Sequence, residues 1–320
     1  MSAARTVVAV DVGGTTIKGA VVDRDGAFVR EVARPTPAAD GPDAVVAELL
    51  GVIAELLSDQ ADAPGVVSVV VPGAVDAEAG RAEFSANLGF RGVPLRQIVA
   101  TATGLPALLE HDVRAAGVAE RSVGVTAAAD NYLLAVIGTG IAAVIQADGV
   151  RVGGASGAAG ELGHIPVWPG GEQCSCGQRG CLERYAAAAG IVRRYADRTG
   201  SRVPARAVIT RASRGDRDAI AVWEEAIEAL ALAFTTCTML LDPELIVLAG
   251  GLSEAGDALL TPVVERLDAL ISWREPPAVK LSPLGGRAGL VGAAVLAWQA
   301  LGAASLAGWR SQIGTVQSHR

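Results

Sequence analysis

Lysine is nearly absent from this chain. Of its 27 basic residues all but Lys18 and Lys280 are arginine, so a lysine inside a glycine-rich turn stands out. No Lys/Arg run occurs and the net charge is −7. The basic face of a general nucleic-acid binder is therefore lacking, and no nucleic-acid partner is expected. Aromatic residues make up 4% against 51% hydrophobic residues in all, which leaves Ala, Val, Leu and Ile to build the cores. Cysteine is sparse too, and three of the four fall between positions 174 and 181. They are too closely set for a disulfide framework, so cytoplasm is the expected compartment. The N-terminal MSAARTVVAVD reaches an aspartate after a short apolar run and lacks a cleavage-like segment. The apolar stretch Leu290 to Trp309 is Ala-rich, with Gln299 near its middle. Its small residues suit a helix packed within a globular domain, and no membrane partner is expected.

What the chain does contain is a repeated unit. Thr6 to Asp11 reads as a buried strand, Gly13-Gly14 as a turn, and Ile17 to Val22 as a second strand before the turn Asp23-Arg24-Asp25-Gly26. Tyr132 to Ile137, Gly138-Thr139-Gly140 and Ile141 to Ile145 repeat the pattern and close at Ala147-Asp148-Gly149. A Rossmann or Walker loop would instead run from strand into helix. Two strand–glycine–strand hairpins predict two related domains facing one another, with both turns near a single ligand. Helical periodicity marks Pro42 to Ser58, Val113 to Arg121, Leu182 to Asp197 and Ala219 to Leu241, and buried strands are expected at Val66 to Val71 and Leu245 to Ala249. This alternation argues for α/β architecture, with a hinge near residues 115–130.

The first turn, Asp11-Val12-Gly13-Gly14-Thr15-Thr16-Ile17-Lys18, has the chemistry of an anion cradle. Adjacent glycines permit positive φ and present N–H groups without Cβ obstruction. Thr15, Thr16 and Lys18 add two hydroxyls and a cation, and Asp11 could hold Mg²⁺, a cation that prefers oxygen ligands. An ordinary hairpin turn is the plainer alternative, and the echo at Gly138-Thr139-Gly140 weighs against it. A second block, Gly160-Glu161-Leu162-Gly163-His164 followed by Cys174-Ser175-Cys176-Gly177-Gln178-Arg179-Gly180-Cys181-Leu182-Glu183, supplies three thiols and one imidazole. That is the ligand set of a closed Cys₃His structural Zn²⁺ site, with His164, Cys174, Cys176 and Cys181 filling all four positions; unrelated thiols are the alternative. Cys237, within an apolar helix, reads as core, and His319 as part of a polar tail.

In these motifs the chain resembles the ROK family of sugar kinases and related repressors, within the hexokinase/actin-like superfamily, over most of its length from about Val7 to Ala294. The resemblance implies two α/β domains of ribonuclease H-like fold with an interdomain active-site cleft. The first would be the smaller, 1–120, joined by a C-terminal helix at about 290–310; the second, larger one would be 121–289, carrying the zinc loop. It implies that Asp112, in Glu110-His111-Asp112-Val113-Arg114-Ala115-Ala116, is the catalytic base, since a sugar hydroxyl needs a positioned carboxylate to take its proton. From the residues alone Asp112 reads equally as the N-cap of an Ala-rich helix. Glu161, His164 and Glu183 are assigned by the resemblance to sugar hydroxyls, with His164 also ligating zinc; a solvated surface role is the alternative for each glutamate. Pro72-Gly73-Ala74-Val75-Asp76 and Ser85-Ala86-Asn87-Leu88 resemble further sugar segments, in which Gly73 and Asn87 would face the sugar or serve only as turn residues. Gly138, Thr139 and Gly140 would face the ATP phosphates, and Gly250 and Gly251 the adenosine. His111 and Arg114 depart from the commoner kinase pattern, which has Asn at both positions, and this leaves sugar identity open. The expected activity is ATP-dependent phosphorylation of a hexose at the 6-hydroxyl, glucose first, with Mg²⁺ and structural Zn²⁺, in a homodimer or higher homo-oligomer. N-acetylglucosamine or N-acetylmannosamine is the nearest alternative substrate. A catalytically silent sugar-sensing regulator is the alternative of another class. Family repressors carry a helix-turn-helix ahead of the sugar domain, whereas here the phosphate hairpin begins within about ten residues of Met1.

Overall fold

Valine-rich runs and glycine turns dictate the first element pair. In the computed structural model, which describes residues 5–58, 64–303, 306, 308 and 309, β1 (Thr6–Val12) and β2 (Thr16–Asp23) form an antiparallel hairpin closed at Val12 and Ile17. His319 lies outside the described residues, as does part of the chain beyond Ala303. β3 (Phe28–Pro35) adds an antiparallel edge with alternating exposure, which suits a strand with one face in water. Helix α1 (Pro42–Leu57) opens with proline at its first position, where the missing N–H costs nothing. β4 (Val67–Val71) then runs parallel to β1.

A small antiparallel sheet follows, from β5 (Ala74–Asp76), β6 (Arg81–Ser85) and β7 (Phe90–Val93). Helix α2 (Leu95–Thr103), β8 (Ala107–His111) parallel to β4, and α3 (Asp112–Val123) complete the series. The main sheet has the order β3-β2-β1-β4-β8. Its core joins Val8, Val10 and Ile17 to Leu49, Ile53 and Leu56 of α1.

A second unit repeats this plan. Strands β9 (Tyr132–Ile137), β10 (Ile141–Ala147) and β11 (Val150–Arg151) form the antiparallel part. After them come α4 (Glu183–Ala186), α5 (Ala188–Thr199), α6 (Ala205–Ser213) and α7 (Arg217–Leu241). β12 (Leu245–Ala249), α8 (Asp257–Leu270) and β13 (Ala278–Leu281) complete a sheet of order β11-β10-β9-β12-β13, with β12 parallel to both β9 and β13. Hairpin-led strands followed by two parallel ones thus occur twice in the same spatial order, the duplication that the paired glycine turns predict.

The last helix, α9 (Ala288–Ala300), belongs to the first unit, which comprises Met1–Ala127 and Arg287–Arg320; the second is Ala128–Gly286. The division thus falls after 127 and 286 instead of 120 and 289, and the first unit is no smaller than the second. The residues after α3 stay with that helix: Val125 N–H donates to the buried Glu120 carboxylate at 3.0 Å, and Arg121 donates to Thr126 O at 3.2 Å. No helix among the described residues is long and apolar enough to cross a membrane. The small residues of α9 instead admit α3 at very short range, since a Cβ built on Gly292 would lie 2.0 Å from Ala115 O.

The expected single helix over Leu182 to Asp197 is broken. Ala187 takes an extended conformation, and the next N–H, that of Ala188, donates to Gly138 O at 2.9 Å instead of continuing α4. Alanine favours helix at both positions, so a tertiary hydrogen bond overrides local propensity here.

Gly292→Ala tests the α3–α9 contact. At an open helical site this change stabilises by about 1 kcal/mol; here overpacking, costing about 1–3 kcal/mol, should reverse the sign and lower the thermal midpoint. A raised midpoint would show that the two helices are not this close.

Candidate active-site residues

Side chains that point toward chemistry gather at the carboxyl ends of parallel strands, where open α/β sheets bind ligands. In the first unit Asp11 lies near the end of β1, Gly73 follows β4, and Asp112 follows β8. Gly13 N–H donates to Thr16 O at 3.0 Å, and Thr36 ties the turn from outside through Oγ1 to Gly13 O, 2.6 Å, and N–H to Thr15 O, 3.0 Å. The expected positive φ at Gly13 and Gly14 is not found. Their small size matters instead. A Cβ on Gly13 would sit 3.0 Å from Thr16 O, and one on Gly14 would touch Asn87 Cβ at 3.4 Å. Asn87 therefore lies against the first turn. Gly73 does adopt positive φ, 104°, and a Cβ there would fall 2.2 Å from Phe84 O, so no other residue fits.

Asp11 pairs across the hairpin with Lys18 and sits beneath the start of α9, where a Cβ on Gly289 would come within 2.8 Å of its Oδ2. Burial pushes its carboxyl up to about 7; the charge of Asp112 adds to the rise and Lys18 opposes it. Asp112 opens α3. Its Oδ1 accepts Val113 N–H at 2.7 Å, while the capping residue is His111, whose Nδ1 accepts the same N–H at 3.2 Å. Asp112 thus shares the capping work without being the cap. His111 N–H donates to Glu110 Oε1 at 2.7 Å. Arg114 pairs with Glu110 at 3.3 Å and donates to Val75 O at 3.1 Å, tying α3 to the small sheet. That tie gives Arg114 a structural task that its sequence position alone did not reveal.

In the second unit Gly138-Thr139-Gly140 follows β9 and Gly250 follows β12. Gly138 N–H donates to Gly140 O at 2.9 Å, and a Cβ on Gly138 would meet nothing within 4 Å, which leaves one face of the turn open. Gly250 needs its glycine: φ is 83° and a Cβ would lie 2.5 Å from Ile137 O. Gly251 begins the short helical turn that leads toward α8. Glu183, at the start of α4, accepts Ile141 N–H at 3.2 Å, and a Cβ on Gly140 would stand 2.6 Å from the same carboxylate oxygen. The segment carrying Glu161 and His164 is held to β10, since Ala143 N–H donates to Gly160 O at 2.7 Å. Its Gly160 has φ 100° and would place a Cβ 2.0 Å from Ala143 O.

Ligand atoms of His164, Cys174, Cys176 and Cys181 all lie within 4.8 Å of one another. Cys176 Sγ and Cys181 Sγ are 3.7 Å apart and Cys174 Sγ is 3.9 Å from His164 Nδ1. A tetrahedron with metal–sulfur bonds of about 2.3 Å has edges near 3.8 Å, so the donor set fits one metal of this kind. His164 turns Nδ1 toward the thiols and Nε2 toward Glu161, 4.0 Å away. Burial, then the neighbouring thiols, push Cys181 up to about 12, whereas the Gln178 backbone hydrogen bond draws Cys176 down. Cys237 is buried in the core and its thiol is raised to about 11 by burial.

Glu172 was not legible as a site residue. It gathers Arg184, Arg193 and Arg194 and so binds the cysteine loop to α4 and α5. Its neighbours in sequence are ordinary loop residues, and only the later run of arginines could have hinted at a shared partner.

Duplicated mixed sheets with ligand-type turns at their carboxyl edges define a two-domain α/β protein of the hexokinase/actin-like fold, and solved structures of that class match the chain. Residues 7–300 match the model of the ROK family, and the chain belongs to that family. It is 33% identical over 313 residues to a glucokinase of Thermotoga maritima, covering 92% of this chain and 98% of the relative. An N-acetylmannosamine kinase of Citrobacter koseri is 32% identical over 297 residues, 91% of this chain and 98% of the relative. The crystal structure of a ROK family glucokinase from Streptomyces griseus, in complex with glucose and AMPPNP, matches with a TM-score of 0.81 and 30% identity. That match covers 92% of this chain and 99% of the other.

Asp11 gives a pH prediction. Its folded value, about 7, lies above the ordinary 3.8, so folding favours the protonated form. The stability this contributes is present below about pH 4 and is lost as pH rises through 7. Without metal or nucleotide, Asp11→Asn should therefore melt several degrees above the parent at pH 8, with the gap closing toward pH 4. Equal midpoints at pH 8 would contradict the burial of an ionisable group there.

Proposed function

We propose that the protein is a sugar kinase that transfers the γ-phosphoryl group of ATP to the 6-hydroxyl of a hexose, glucose first. The observation that supports this most directly is the position of Asp112, at the same sheet edge as the Asp11–Lys18 turn and close enough for its charge to reach Asp11. Asp112 accepts the hydroxyl proton as the new O–P bond forms and the bond to ADP breaks. Its anchoring by Val113 N–H keeps the carboxylate oriented before substrate arrives. Asn87, His111, Glu161, His164 and Glu183 hold sugar hydroxyls, with Gly73 giving the sugar room near the backbone. Such a set penalises sugars that leave its polar groups unpaired.

Gly13, Gly14, Thr15, Thr16 and Lys18, and likewise Gly138, Thr139 and Gly140, have N–H, hydroxyl and ammonium groups suited to phosphate, while Gly250 and Gly251 take the adenosine. Asp11, buried beside a second carboxylate and raised for that reason, is suited to a cation, and Mg²⁺ there would neutralise charge on the phosphates. Zn²⁺ held by His164, Cys174, Cys176 and Cys181 would fix the loop, with no position left for water. Closely set free thiols accord with the cytoplasm. The amino-sugar kinases among the relatives make N-acetylmannosamine the second candidate substrate.

Asp112→Ala should lower kcat by about 10²–10⁴-fold, the usual worth of a general base, with sugar affinity little changed; retained turnover would remove Asp112 as base. A panel of glucose, mannose, N-acetylglucosamine and N-acetylmannosamine with ATP should show glucose with the highest kcat/KM. Sugar binding without turnover of any sugar would point to a sensor instead. Elemental analysis should find about one zinc per chain, and a metal-free protein that is folded and active would reject that site.

A further inference from the structure

Three consecutive side chains of α4 link the second unit's hairpin to the cysteine loop. Glu183 accepts the backbone N–H of Ile141, the residue that leaves the Gly138–Gly140 turn. Arg184 pairs with Glu172 of the cysteine loop at 3.8 Å, and Tyr185 OH accepts Glu172 N–H at 2.8 Å. Trp168 stacks edge-on against Tyr185 at 4.4 Å, and the Arg194 guanidinium lies over the Tyr185 ring at 4.9 Å. The preceding residues are tied as tightly: Cys181 is bridged to Pro166, and Leu182 N–H donates to Ile165 O at 2.9 Å. Just past α4, Ala188 N–H donates to Gly138 O at 2.9 Å. The turn is therefore held twice, at Gly138 O by the first N–H of α5 and at Ile141 N–H by the Glu183 carboxylate of α4.

Gly138 has open space on its Cβ side, and the turn closes internally on one hydrogen bond, Gly138 N–H to Gly140 O. Gly140 has no room for a side chain because the Glu183 carboxylate occupies that place, 2.6 Å from a built Cβ. A charged acceptor on a backbone donor is among the stronger hydrogen bonds. A turn that must offer its N–H groups to an anion also gains from being fixed in advance, since ordering it on binding would cost affinity.

We propose that Glu183 is a positioning residue for the Gly138–Gly140 turn, in addition to any contact it makes with sugar. Through it the cysteine loop sets the geometry of the nucleotide-phosphate site. This rests on the reading of that turn as a phosphate cradle.

The experiment measures AMPPNP binding with Mg²⁺ and without sugar, by calorimetry, for the parent, Glu183→Ala and Glu183→Gln, together with residue-resolved amide exchange at Ile141. Glu183→Ala should weaken AMPPNP about tenfold, the worth of a hydrogen bond to a charged group, and speed Ile141 exchange. Glu183→Gln keeps an acceptor oxygen and should restore most of both while remaining impaired in sugar binding. If Glu183 serves sugar alone, sugar-free AMPPNP affinity and Ile141 exchange will be the same in all three proteins, and the proposal falls. Should Glu183→Ala fail to fold, Glu183→Leu, which fills similar volume without an acceptor, takes its place: weaker AMPPNP binding with faster Ile141 exchange supports the proposal, and parent-like values of both overturn it. A parent protein that does not bind AMPPNP at all would instead overturn the phosphate reading itself.

Discussion

Two carboxylates, Asp11 and Asp112, are fixed at one sheet edge by backbone that leaves them little freedom. Asp11 is sunk beneath α9 and its carboxyl is raised first by burial and then by the charge of Asp112. Like charges so placed repel in the absence of a counter-ion, and Lys18 offsets the repulsion only in part. The α3–α9 contact imposes the arrangement, because glycine and alanine at the crossing let the two helices approach until a single added carbon would collide with Ala115 O. In the proposed function, a cation beside Asp11 and a hydroxyl that gives its proton to Asp112 would relieve this repulsion.

The second unit meets a similar demand by other means. Its hairpin repeats the topology of the first, yet its turn carries no lysine and no buried acid. It is steadied from outside by α4, which is itself anchored to the Cys₃His loop and the Glu172 arginine cluster. One duplicated scaffold thus supports two differently built turns, one organised by charge and one by a neighbouring metal-type loop.

Much of this could be read before any coordinates. The hairpins were legible because their strands are buried on both faces and read as unbroken apolar runs. The gathering of His164, Cys174, Cys176 and Cys181 was legible because three thiols and one imidazole at close spacing form a recognisable donor set. The sheet β5-β6-β7 was hidden because its strands are short and carry Arg81, Glu83 and Arg91 in place of an apolar run. The break at Ala187 was hidden by alanine, whose helical preference hides a tertiary bond to Gly138. Gly13 and Gly14 form the turn that the flanking strands predict, but without the expected positive φ; the constraint is the space taken by Thr16 and Asn87. The links from Glu183 to Ile141 and from Glu172 to its arginines bridge distant segments, and no local pattern announces them.

The most direct test is a crystal structure of the protein with a hexose, AMPPNP and Mg²⁺. The Asp112 carboxylate should stand within about 2.6–3.2 Å of the sugar hydroxyl that is to be phosphorylated, on the side from which the γ-phosphate approaches in line. A bound hexose whose reacting hydroxyl meets some other group, with Asp112 turned away to cap α3 alone, would contradict the account.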